Sequence, residues 1–141
     1  MAKGLQTLIR VNEWTVDERR RELGTRLKEQ DSLKLTLVNL EKELNEEQHT
    51  VSASPGIAGF FYGCYAESVI NRRTELQALI TAKEGEILAA QEELGQAYRE
   101  LKKYEVVYEE QRRHAEKDAL RVEQSELDEL GRQNKYFRER Q

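Results

Sequence analysis

The sequence predicts an all-α protein, a long antiparallel two-helix coiled-coil hairpin with an extended C-terminal helix. Three observations carry this. Charged residues make up 35% of the 141 residues and hydrophobic ones 38%, and mean hydropathy is -0.86. That balance is too wet for a globular core and ordinary for a helix pair burying one narrow seam. Apolar residues recur every seven positions through two long segments. One stretch between the segments, VSASPGIAGFFYGCYAES at 51–68, holds the only proline, the only cysteine and three of the eight glycines.

The first segment steps through Ile9, Val16, Leu23, Gln30, Leu37, Leu44 and Val51. Only Gln30 is polar. Leu27, then Leu33 and Leu40, serve as companions, which implies a seam drifting slightly around the helix. A helix over about 3–51 follows, roughly 70 Å long at 1.5 Å per residue. In the break, Ser52, Ser54, Pro55, Gly56 and Gly59 are turn chemistry. Proline lacks an N–H and pushes the residue before it out of helical dihedrals. The turn is expected over about 52–59. The second segment steps through Ile80, Ile87, Leu94, Leu101, Tyr108, Ala115 and Val122, with companions Val69, Leu76, Ala90, Ala97 and Tyr104. A helix over about 60–138 follows, roughly 115 Å long. The whole chain, 1–141, reads as a single coiled-coil domain.

A short connection makes the helices antiparallel. With the fold-back near residue 56, facing residue numbers add to about 112. Val16 then faces Leu94 and Ala97, Leu37 faces Leu76, and Gln30 falls opposite Lys83. These two could form a polar layer that fixes register, or could each reach out to water. Gly24, Gly85 and Gly95 fall within helices, off the seam. From about Glu105 the second helix outruns the first, yet apolar residues continue through Tyr108, Ala115, Val122, Leu127 and Leu130. A lone helix has no use for such a stripe in water.

Charge and composition exclude several classes. The net charge is -4, with 27 acids and 23 bases intermixed, which disfavours nucleic acid as a partner. With Cys64 alone there is no internal disulfide. Nothing approaches a membrane span or a secretory leader, so a cytoplasmic protein is expected. No catalytic constellation, cofactor motif or metal cluster is present. His49 and His114 are isolated, and the glycines of PGIAGFFYGC lack the phosphate-loop pattern.

Three clusters remain. DERRREL, 17–23, carries Arg19, Arg20 and Arg21, read either as a solvated face with pairs such as Asp17 to Arg21 or as a binding patch. The tail RQNKYFRERQ, 132–141, sets Arg132, Lys135, Arg138 and Arg140 around Tyr136 and Phe137, the mixture that anchors interfaces. At the turn, Phe60, Phe61, Tyr62 and Tyr65 could plug the hairpin tip or meet a partner.

The opening MxxGLxxLIRVxExxVDExRRxLG, with VDERRREL at 16–23 and ELDEL at 126–130, resembles the FliJ family of flagellar type III export proteins. The layout of a helix of about fifty residues, a turn near residue 55 and a second helix of about eighty is similar too. The resemblance implies a non-catalytic stalk without cofactors, akin to the shaft of a rotary ATPase. Its partners would be the hexameric export ATPase FliI, the gate protein FlhA and export chaperones, at the cytoplasmic face of the inner membrane. Carried over by position, Arg10, Trp14, Arg19, Arg20, Arg21, Arg132, Lys135, Tyr136, Phe137, Arg138 and Arg140 would contact the ATPase ring. Phe60, Phe61, Tyr62 and Tyr65 would contact the gate, although the end of the first helix, LEKELNEEQHT, lacks the aromatics the family carries there. A free chain would be a monomeric hairpin. The rival readings are an injectisome stalk of the YscO kind and a self-associating coiled-coil scaffold.

Overall fold

The computed structural model describes residues 2–53 and 56–140. Two helices, α1 (Ala2–Ala53) and α2 (Ile57–Glu139), pack against each other as a helical hairpin, and the described residues contain no strand. Ser54 and Pro55, on which the expected break rests, lie outside the described residues.

Both helices run closer to the turn than the residue chemistry suggests. Ser52 is helical, and its hydroxyl donates back to the Gln48 carbonyl at 2.9 Å, where it does not compete with the helix for a backbone N–H. Gly59 falls in the first turn of α2, and its N–H donates to the Gly56 carbonyl at 2.9 Å. Gly56, with φ 125, is the positive-φ residue among those described. That conformation is open to glycine and strained for residues with a Cβ.

The seam follows the heptads. Every seventh residue from Ile9 to Val51 is buried or half-buried, as is every seventh from Ile80 to Tyr108. Leu27 departs from expectation and stays exposed. The companion row of α1 runs three residues after the seam positions, through half-buried Asn12, Arg19, Leu33 and Leu40, with exposed Arg26 at its middle level. Leu27 sits one residue, about 100°, beyond that row. Facing pairs confirm the register. Arg19 with Glu93, Arg26 with Glu86 and Lys83 with Glu29 add to 112; Gln30 with Glu84 and Arg73 with Glu41 add to 114.

The chain divides into two compact units. In Thr15–Ala97 the core is Val16, Val69, Leu76, Ile87 and Ala90, with Leu76 only 1% exposed. The other unit joins Met1–Trp14 to Tyr98–Gln141. There Leu101 is buried, and Ile9, Tyr104 and Tyr108 are half-buried. The Gln6 amide donates to the Tyr108 hydroxyl at 2.9 Å. Beyond that bond the apolar cover ends, and residues 111–140 are all exposed.

Candidate partner-binding surfaces

Gln30 is buried, 5% exposed, and its amide donates to Glu84 Oε2 at 2.7 Å. Lys83 does not meet Gln30. Its ammonium lies between Glu29 of α1, to which it donates a short hydrogen bond, and Glu86, at 2.9 Å. Each polar side chain at this level therefore takes a carboxylate. These bonds hold the Glu29 carboxyl below its ordinary value of 4.5 and the Lys83 ammonium above 10.5, because each favours its partner's charged form. Sequence reasoning found Gln30 and Lys83 but not Glu29, Glu84 and Glu86. The signal was present in acids one residue before Gln30 and one and three residues after Lys83.

The arginines of DERRREL divide by environment. Arg19 reaches across to Glu93 of α2 at 3.5 Å and also holds Glu22 at 3.2 Å. Arg21 points outward and pairs with Glu18 at 3.1 Å, not with Asp17. Arg20 is exposed and engaged in an interaction of its own. Part of this cluster thus fastens the hairpin.

In the unit containing both chain ends, Arg10 lies beside a shallow groove lined by Ile9, Glu13, Glu105 and Tyr108. Trp14, the only tryptophan, is 65% exposed. At the C-terminus the rings of Tyr136 and Phe137 meet edge-on with centroids 6.4 Å apart. The Arg140 guanidinium sits 5.3 Å from the Tyr136 ring centre, within cation–π range. Phe137 is 66% exposed. Arg132, Lys135 and Arg138 are exposed and carry no ion pair among the described residues.

At the turn, Phe60 and Phe61 form an edge-on pair with centroids 6.0 Å apart, and they are 73% and 66% exposed. They do not plug the tip. Tyr62 is half-buried, and Tyr65 lies near Glu43 and Glu47 of α1. Burial first, and then these carboxylates, raise the Tyr65 phenol above 10.0.

Among the described residues no three His, Cys, Asp or Glu side chains gather as a metal site. Cys64, His49 and His114 are exposed and scattered. Among the described residues no helix is long and apolar enough to cross a membrane. What these surfaces expose is aromatic rings at 60 and 61, and aromatic rings at 136 and 137 beside bases at 132, 135 and 138.

Comparison with known proteins adds one positive finding. Residues 1–141 match the family model described as "Flagellar FliJ protein". No curated protein and no solved structure matches.

Proposed function

The chain belongs to the FliJ family, and from that premise we propose that it is a non-catalytic stalk of the flagellar export apparatus. In this reading the segments near the chain ends engage the ring of the export ATPase and promote its assembly and activity. The hairpin tip meets the FlhA-like export gate, and the stalk also serves export chaperones. All of this takes place at the cytoplasmic face of the inner membrane.

The observation that carries the ring contact is the tail. Arg132, Lys135 and Arg138 lack intramolecular ion pairs among the described residues, and Phe137 stands among them in water. An exposed aromatic ring set among bases without intramolecular partners is the mixture that anchors interfaces. Trp14 and Arg10 extend the same chemistry onto α1. The weaker gate contact rests on Phe60 and Phe61, which are exposed beside one another at the turn.

The test is ATP hydrolysis by the cognate export ATPase with and without this protein. Wild-type chain should stimulate it. Changing Arg132, Lys135, Phe137 and Arg138 together to alanine should abolish stimulation with helicity intact, because none of the four holds the hairpin. Changing Arg19, Arg20 and Arg21 to alanine should also reduce stimulation, but with some loss of stability through the Arg19–Glu93 pair. Failure of the wild-type chain to stimulate at all would defeat the stalk reading.

A further inference from the structure

The exposed end of α2 carries a second apolar stripe that is not the continuation of the hairpin seam. Leu120, Leu127, Leu130 and Phe137 are each 56–66% exposed. They fall within about 100° of one another on the helix. The hairpin seam would continue through Ala115 and Val122. Leu120 comes five residues after Ala115, so the stripe is turned about 140° from that line. Tyr136, with Arg140 against its ring, lies off the stripe, so the two neighbouring aromatics serve different faces.

We propose that this stripe is the interface of an antiparallel homodimer, the occupant being the same segment of a second copy. Two features choose a copy running in reverse. When residue numbers across the pair add to 257, Leu120 faces Phe137 and Leu127 faces Leu130, so all four apolar residues meet apolar ones. Glu123 then faces Asn134, whose amide can donate to the carboxylate; a parallel copy would set Glu123 against Glu123. The charge is also reversed along the segment. Residues 116–129 hold six acids and two bases, for -4, and residues 130–140 hold four bases and one acid, for +3. Antiparallel pairing lays the acidic half along the basic half, whereas parallel pairing stacks like on like. One contact opposes the pairing. Lys117 comes beside Arg138 at the open edge, where a like-charged exposed pair is a minor cost.

This inference goes beyond the stalk reading and replaces the monomer which that reading leads one to expect for the free chain. Its one functional consequence does rest on the stalk reading. A dimer covers Phe137, so a chain cannot be paired and present that ring to the ATPase at the same time.

Sedimentation of the full chain at roughly 5–100 μM, spanning ordinary affinities of modest interfaces, should show a reversible dimer. Leu127→Asp with Leu130→Asp should weaken association by at least about 100-fold, at tenfold or more per lost apolar layer. Helicity should not change, since neither residue is covered in the single chain. Orientation is read by cross-linking in a Cys64→Ser background. Chains carrying Leu120→Cys and chains carrying Phe137→Cys should form disulfides with each other and not with themselves. A chain that stays monomeric throughout the range overturns the proposal, as does self-linking by Leu120→Cys alone. Neither result bears on ATPase stimulation, so the two readings fail separately.

Discussion

At Gly56 the backbone sits at φ 125 with nothing within 4 Å of where a Cβ would be. The constraint there is conformational and not one of space. Gly56→Ala should lower stability by about 1–3 kcal/mol, the cost of forcing a side chain into such a region, read as a shift in urea midpoint at unchanged slope. Gly85 is the opposite case. It lies mid-helix in α2, and a Cβ there also meets nothing. Gly85→Ala should therefore raise stability by about 1 kcal/mol through helix propensity alone. Gln30 is a third kind of residue, a buried amide that donates to a carboxylate at 2.7 Å. Gln30→Leu should leave the hairpin as stable or stabilise it by about 1 kcal/mol, because Glu84 returns to water and an apolar group fills the seam. A large loss would show that the amide is needed to hold the pairing.

Within the paired helices, the cluster of Glu29, Lys83 and Glu86 makes stability depend on pH at both extremes. Glu29 titrates below its ordinary 4.5, so its contribution is complete above that value and is lost as pH falls through the depressed one. Lys83 titrates above its ordinary 10.5, so its contribution is complete below that value and is lost as pH rises through the raised one. The stability difference between wild type and Lys83→Met should thus be constant at intermediate pH and shrink on both sides, as measured by denaturation across the range. The apolar half of the same interface is thin and concentrated at a few positions. Leu76, 1% exposed, is the fullest of them, and Leu76→Ala should cost about 2–4 kcal/mol.

For the molecule as a whole, the buried seam and the exposed end of α2 occupy different residues. Residues 111–140 are exposed without exception, so alanine at Leu120, Leu127 or Phe137 should leave the unfolding midpoint of the dilute chain within about 0.5 kcal/mol of wild type. Any partner or second copy acting there should reveal itself in binding and not in folding. Much of the hairpin was legible in the heptads, because a seam of two helices imposes its period on the sequence directly. The candidate surfaces were legible only as composition. RRR at 19–21 reads as one basic cluster, yet Arg19 spends its charge on Glu93 and Arg21 on Glu18. FFY at 60–62 reads as a plug or as a docking point, and the exposure of Phe60 and Phe61 argues against the plug.

The sequence by itself determined the two helices, their antiparallel register and the family, because periodicity, one interruption and a short connection leave few other ways to bury a narrow apolar stripe. Tertiary structure decided which polar residues are used up within the hairpin. Charge pairing across helices depends on side chains on separate segments arriving at the same level and angle. Glu29 and Lys83, 54 positions apart, meet only after the chain has folded back.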